Sequence, residues 1–127
     1  MKTNAYVMLP SVIRKTVEAD RPGAYLLGEL KGSRFDVRYV GRSDSCLKSR
    51  LLTHNHLYEC SYFTFRYASS PKDAFLMECK AWHDYQGSRG KLLNKIHPAA
   101  PAGQHIECPY CHFAQGMKAL LSLPNAG

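Results

Sequence analysis

Two strand-like runs joined by a tight turn constrain the fold of this chain more than any other feature. Residues 24–30 are rich in apolar side chains, and residues 35–40 alternate apolar with polar side chains. Between the two runs, Lys31-Gly32-Ser33-Arg34 has the composition of a turn. The pattern therefore predicts an antiparallel β-hairpin, around which the rest of the chain must be arranged.

The strongest helix signal lies further along, at Ser70-Pro71-Lys72-Asp73. This string supplies an N-cap hydroxyl, a proline at the first helical position and an acidic residue in the first turn, and the helix should continue to about Tyr85. Three short strands cannot form a stable sheet with both faces bare. The sequence thus predicts a small α/β (α+β) fold, in which helices flank a three-stranded, mainly antiparallel sheet. The other predicted elements are a helix over residues 10–19, a helix capped by Ser43 or Asp44 and running to about His54, a strand over residues 60–67, a short helical piece at residues 92–94 and a last helix-like stretch at residues 113–123.

The length of 127 residues fits one domain with a small appendage. We assign residues 1–98 to the core domain, and residues 99–127 to a linker rich in proline and alanine followed by a Cys/His-rich tail. No run approaches the roughly 18 apolar residues of a membrane span, and no secretory signal is recognisable, so we expect a cytoplasmic protein without a membrane partner. The formal net charge of +7 favours a polyanionic partner, with a solvated basic surface as the alternative.

Glu78 is the most informative single position, because it lies on the apolar side of the helix predicted from residue 70 to residue 85. A carboxylate buried there is costly unless a cation or hydrogen-bond donors meet it. Glu78 could form a structural ion pair with an arginine, or the helix could be rolled so that the carboxylate is solvated. Alternatively, Glu78 could be a ligand of Mg²⁺ or Mn²⁺, which take oxygen ligands.

Several short motifs follow one another in the order and spacing of a known family. They are Gly23-Ala24-Tyr25, Tyr39-Val40-Gly41-Arg42-Ser43, Leu47-x-x-Arg50-Leu51, Glu78 and Asn94. Over residues 23–98 the chain resembles the GIY-YIG nucleases, with Ala24 and Val40 in place of the usual isoleucines. Without the later motifs, Tyr25 and Tyr39 would be interpreted as aromatic residues that pack on a hairpin.

The resemblance implies a metal-dependent endonuclease that hydrolyses DNA phosphodiester bonds with a single divalent ion. Glu78 would hold Mg²⁺ or Mn²⁺, Arg50 would contact the scissile phosphate, and Tyr25 or Tyr39 would deprotonate or position the attacking water. A free tyrosine has a pKa near 10, and Arg42 is the nearest candidate to lower it.

The supporting residues implied by the resemblance are two glycines, an asparagine and a histidine. Gly23 and Gly41 belong to the two tyrosine motifs, and Asn94 would order the site through hydrogen bonds. His54 and His56 could assist at the phosphate, although exposed loop histidines are the commoner case.

Near its end the chain carries Cys108-Pro-Tyr-Cys111, which resembles half of a zinc knuckle. His97 or His105 could supply the remaining ligands of a structural Zn²⁺, or subunits could share the site, whereas Cys111 and the adjacent His112 would strain to bind one ion together. A redox pair or two idle thiols are the alternatives. The remaining cysteines lie on predicted elements and are expected to be buried core thiols: Cys46, Cys60 and Cys79.

Three functions from different classes follow from these patterns. The first is a metal-dependent endonuclease that acts on DNA as a monomer or weak homodimer. The second is a non-catalytic nucleic-acid-binding module with a zinc-stabilised tail. The third is a small redox or metal-binding protein centred on Cys108 and Cys111, in which the tyrosines only pack.

Overall fold

The structure is a computed structural model that describes residues 4–54 and 59–111. None of the helices in these ranges is long and apolar enough to cross a membrane. The stretch at residues 113–123, together with His56 and His112, lies outside the described residues. Along the chain the elements are β1 (Tyr6–Val7), α1 (Pro10–Thr16), β2 (Gly23–Lys31), β3 (Arg34–Ser43), α2 (Leu47–Leu52), β4 (Tyr62–Tyr67), α3 (Pro71–Asp84) and a 3-10 turn (Gly87–Arg89).

Within residues 4–54 and 59–111, four antiparallel strands form the sheet, in the order β1-β4-β2-β3. The prediction of an α+β fold with a mainly antiparallel sheet is confirmed, but the predicted count of three strands is wrong. The additional strand is β1, whose two residues pair with β4 as Tyr6↔Phe63 and Val7↔Tyr62. Two residues carry no periodicity, so only the pairing with β4 makes this segment a strand.

The predicted hairpin is formed by β2 and β3, and both strands are longer than predicted. Gly32 lies in the two-residue turn between the paired residues Lys31 and Arg34, with a φ of 64°. Glycine adopts this left-handed conformation at no steric cost, which makes it suitable for a tight hairpin turn. The register pairs Tyr25 with Gly41, so the two tyrosine motifs lie side by side.

A side-chain cap marks the start of α3, whereas the end of β3 determines where α2 begins. Ser70 is the N-cap of α3 as predicted, and its hydroxyl accepts a hydrogen bond from the amide of Asp73 at 3.0 Å. In contrast, α2 begins at Leu47, later than predicted, because β3 extends to Ser43. The hydroxyl of Ser43 accepts a hydrogen bond from the amide of Cys46 at 3.0 Å, so it closes the turn between β3 and α2.

Residues 92–94 are not helical, contrary to the prediction. The amide of Leu93 donates a hydrogen bond to the carbonyl of Arg38 at 2.6 Å, and the side chain of Asn94 binds the backbone of Val40. The segment thus pairs its polar groups with the outer edge of β3 instead of within a helix. It also covers part of an edge that would otherwise be open.

Helices cover both faces of the sheet. From β2, Tyr25 and Leu27 pack on the same side as α1 and α2, whereas the intervening Leu26 packs with Val40 and with Trp82 of α3. Alternation of side chains along the strand thus separates two apolar clusters. The helices α2 and α3 therefore lie on opposite faces of the sheet, and their side chains can meet beyond β3 because it is an edge strand.

Candidate functional site

A cleft of about 260 Å³ lies beside β3, and three of the predicted catalytic residues line it. These are Tyr39 of β3, Arg50 of α2 and Glu78 of α3. Tyr25 of β2 packs below the cleft, close enough for the charges of Arg50 and Glu78 to affect its pKa. Four separate elements of the chain thus bring the four residues together. The rest of the lining is Gly41, Arg42, Asp44 and Ala99.

The two tyrosines and His54 form an aromatic group at the base of the cleft. The rings of Tyr25 and Tyr39 are nearly parallel, at an interplanar angle of 20° and a centroid distance of 6.2 Å. His54 packs edge-on against both rings, at 5.4 Å from Tyr25 and 4.4 Å from Tyr39. The commoner case of an exposed loop histidine is therefore wrong for His54, which is only 6% exposed.

The motif glycines allow close approaches that larger residues would block. A Cβ on Gly41 would lie 2.5 Å from the hydroxyl oxygen of Tyr25, so the tyrosine can occupy its position only because residue 41 has no side chain. A Cβ on Gly23 would lie 2.9 Å from Cδ2 of Leu47 and 3.2 Å from Cα of Tyr67. Gly41 therefore shapes the aromatic group, whereas Gly23 lets α2 and β4 pack closely.

Burial and the charge of Arg50 act in opposite directions on the pKa values of Tyr25 and Tyr39. Burial raises the pKa of Tyr25, the neighbouring Tyr39 raises it further, and the positive charge of Arg50 lowers it. Burial also raises the pKa of Tyr39, and Arg50 opposes the rise. Arg50, rather than the predicted Arg42, is thus the cation that acts on both hydroxyls. Although Arg50 lies beside Tyr25, no described residue meets the geometry of a hydrogen bond to its buried hydroxyl.

Glu78 makes the ion pair that the sequence offered as one alternative. Nη1 of Arg42 donates a hydrogen bond to Oε1 of Glu78 at 2.6 Å, and Nε donates to Oδ1 of Asp44 at 2.7 Å. The side chains of Arg42 and Glu78 are only 13% and 11% exposed. Burial raises the pKa of Glu78, and the hydrogen bond from Arg42 partly offsets the rise. The other alternative, a solvated Glu78, is wrong.

Two carboxylates line the cleft, those of Asp44 and Glu78. Proteins usually hold Mg²⁺ through one or two carboxylates, with water and substrate phosphate completing the shell. Glu78 and Asp44 both line the cleft, and the hydrogen bonds to Arg42 use one oxygen of each carboxylate. Each carboxylate has a second oxygen, and a cation bound there would compete with Arg42.

Asn94 fixes the backbone of β3 next to the cleft. Its Nδ2 donates a hydrogen bond to the carbonyl of Val40 at 2.9 Å, and its Oδ1 accepts one from the amide of Val40 at 3.2 Å. Its own carbonyl accepts a hydrogen bond from the indole of Trp82 at 3.1 Å. Asn94 thus ties β3 to α3 one residue before Gly41, which is an ordering role.

A second group of potential ligands lies at the end of α3. One ligand atom from each of four residues lies within 4.8 Å of the others, and this group could hold a metal such as zinc: His83, His97, Cys108 and Cys111. Three of these residues were predicted. His105, the other predicted ligand, is exposed and does not belong to the group, whereas His83 of α3 does.

Sequence reasoning missed His83 as a ligand and Asp44 as a residue of the cleft. Asp44 could have been found, because it follows Arg42 by two residues and opposite charges at that spacing can pair. His83 precedes Cys108 by 25 residues, and no spacing rule for zinc ligands connects them. Among the other cysteines, Cys60 and Cys79 are buried as expected, and Cys46 is only partly buried.

Comparisons with known proteins give this chain no relative. No family model, no curated protein and no solved structure matches it.

Proposed function

We propose that this chain is a metal-dependent endonuclease that hydrolyses DNA phosphodiester bonds in the cleft beside β3. One observation carries the proposal: Tyr25, Tyr39, Arg50 and Glu78, from four separate elements, converge around this cleft. These are the residues on which the resemblance to the GIY-YIG nucleases depends. The net charge of +7 gives further support, because a basic protein attracts a polyanion such as DNA.

Arg50 is suited to bind the scissile phosphate. It lies on the cleft and is exposed, so a phosphate can reach its guanidinium. A guanidinium presents N–H donors in a planar fork that matches two phosphate oxygens, and its charge stabilises the negative charge that develops during cleavage. We assign Arg50 to hold and neutralise the phosphate.

We assign the positioning of the attacking water to Tyr39 rather than Tyr25. Tyr39 is partly exposed and lines the cleft, whereas the hydroxyl of Tyr25 is fully buried. Because the pKa of Tyr39 is raised, its hydroxyl is protonated at neutral pH. It therefore orients the water by hydrogen bonding, and Tyr25 supports the ring of Tyr39 from below.

Glu78 would hold one Mg²⁺ or Mn²⁺, with Asp44 as the nearest second carboxylate on the cleft. When bound, such an ion acts as a Lewis acid that stabilises the leaving 3′ oxygen. Arg42 positions Glu78 through their hydrogen bond. The chain thus supplies a phosphate-binding cation, a water-orienting hydroxyl and a metal-binding carboxylate in one cleft.

Nicking of supercoiled plasmid DNA in the presence of Mg²⁺ or Mn²⁺ tests the proposal. Arg50→Ala should lower the cleavage rate about 100-fold or more, in line with the loss of a group that stabilises transition-state charge. Lys48→Ala removes a positive charge from the same helix outside the cleft lining and is the matched control. Glu78→Gln should abolish cleavage and leave DNA binding, measured by gel shift, intact.

A non-catalytic nucleic-acid-binding module is the second candidate, and the Arg42–Glu78 ion pair favours it. This pair already neutralises the carboxylate that would hold the divalent ion. If the folded wild-type protein binds DNA but does not nick it with either ion, the endonuclease proposal is refuted and the binding module is supported. Equal rates for Arg50→Ala and Lys48→Ala would also contradict the role assigned to Arg50.

A further inference from the structure

The four ligand atoms at the end of α3 lie near the separations that a tetrahedral site needs. Sγ of Cys111 lies 3.2 Å from Nε2 of His83 and 3.0 Å from Nε2 of His97. Zinc bonds of about 2.3 Å to sulfur and 2.0 Å to nitrogen place such atoms about 3.5 Å apart in a tetrahedron. The widest separation in the group, with Cys108 included, is within 4.8 Å. Small side-chain shifts would therefore bring all four atoms into bonding distance.

The surroundings of His97 orient it as a metal ligand. Its Nδ1 lies 2.7 Å from the carbonyl oxygen of Pro98, which accepts only if Nδ1 carries the proton. The lone pair of Nε2 then faces Cys111. This arrangement, in which the second ring nitrogen donates to a backbone carbonyl, is the usual support for a metal-bound histidine.

Trp82 packs against both imidazoles and limits their movement. Its ring lies edge-on to His83 and to His97, at centroid distances of 5.1 Å in each case. Cys108 is buried and packs with Phe75 and Cys79 of α3. The group is therefore held in place by core contacts, as a preformed site requires.

We infer that His83, His97, Cys108 and Cys111 bind one structural Zn²⁺, which fastens the segment from residue 97 to residue 111 onto α3. Four protein ligands close a tetrahedral shell and leave no position for substrate, which indicates a structural rather than a catalytic ion. Two thiolates and two neutral imidazoles balance the charge of the ion, so its partial burial is not opposed by a net charge.

The zinc would also shape the proposed cleft. Ala99 follows His97 by two residues and lines the cleft. Glu78 lies on the same helix as His83, five residues earlier. The ion would thus hold a wall of the cleft against the helix that carries Glu78, although the zinc inference itself does not depend on nuclease activity.

Metal analysis of the full chain, purified without chelator, tests this inference. The wild-type protein should contain about one zinc per chain. His83→Asn should lose that zinc and lower the thermal midpoint by about 10 °C or more, because metal binding contributes to folding. His105→Asn changes an exposed histidine outside the group and should keep both the zinc and the midpoint.

A second measurement uses the wild-type protein, so that it does not depend on the folding of a variant. Trp82 is the only tryptophan in the chain, and it contacts both histidine ligands. Replacing zinc with Co²⁺ should quench its fluorescence and produce the visible bands of a tetrahedral, thiolate-bound cobalt.

Two results would overturn the inference: wild-type protein without bound zinc and without these cobalt bands, or equal zinc content in His83→Asn and His105→Asn. Neither measurement involves DNA, so the zinc site and the endonuclease proposal can fail independently.

Discussion

The buried hydroxyl of Tyr25 leads to an unusual prediction: Tyr25→Phe should stabilise the protein. Tyr25 is 1% exposed, and no described residue meets the geometry of a hydrogen bond to its hydroxyl. A buried polar group without a partner costs about 1–3 kcal/mol. Phenylalanine keeps the ring and its contacts with Tyr39 and His54. We expect a gain of about 1 kcal/mol, at the lower end of that range.

Urea denaturation followed by the fluorescence of Trp82 measures this change, and thermal unfolding should show a rise of about 4 °C. Tyr67→Phe is the matched control, because the hydroxyl of Tyr67 accepts a hydrogen bond from the amide of Glu18 at 2.9 Å. Its loss should cost about 0.5–1.5 kcal/mol. The two identical substitutions should therefore change stability in opposite directions.

Destabilisation by Tyr25→Phe of the same size as in Tyr67→Phe would refute this reasoning, because it would mean that the hydroxyl has a hydrogen-bond partner. If the proposed function is correct, Tyr25→Phe should also change the rate of DNA cleavage little, because phenylalanine keeps the ring that supports Tyr39.

Two further predictions concern Asn94 and Glu78. Asn94→Ala should lower the free energy of unfolding by about 2–4 kcal/mol in urea denaturation, because the amide and carbonyl of buried Val40 lose their side-chain partners. The control is Ile96→Ala, at a residue that is 86% exposed, which should change the free energy of unfolding by less than about 0.5 kcal/mol. Equal losses of unfolding free energy in the two variants would contradict the role of Asn94. The folded-state pKa of Glu78 is raised above its ordinary value of 4.5, so ionisation of Glu78 opposes folding. The stability of the wild type relative to Glu78→Gln should thus be greatest below pH 4.5 and decline as pH rises through the folded-state pKa of Glu78. Thermal midpoints of both proteins across this pH range measure the effect. The opposite trend would mean that the effect of Arg42 on this pKa outweighs the effect of burial.

Local patterns predicted the parts of the fold that depend on neighbouring residues. The N-cap at Ser70 and the proline after it marked the start of α3 correctly. The apolar and alternating runs on either side of Gly32 predicted the hairpin correctly, because strand periodicity and turn composition depend on only a few consecutive residues. The order of the motifs also identified five of the residues that line the cleft, although sequence order says nothing of the distances between their atoms: Tyr39, Gly41, Arg42, Arg50 and Glu78.

Contacts across many residues decided the rest. The segment at residues 92–94 is not helical because the edge of β3 offers better partners for its polar groups. Arg42 binds Glu78 while Arg50 acts on the tyrosines, since α2 and α3 approach β3 from opposite faces. No periodicity specifies which of two cations reaches a carboxylate 36 residues away in the sequence.

The same limit applies to the potential zinc site. By itself, the sequence determined that Cys108 and Cys111 can face one ion, because two residues between cysteines form a tight turn. Only the tertiary structure selected His83 over His105, since the path of the chain brings the last turn of α3 against residues 97–111. Ligand type is a property of the sequence, whereas ligand distance is a property of the fold.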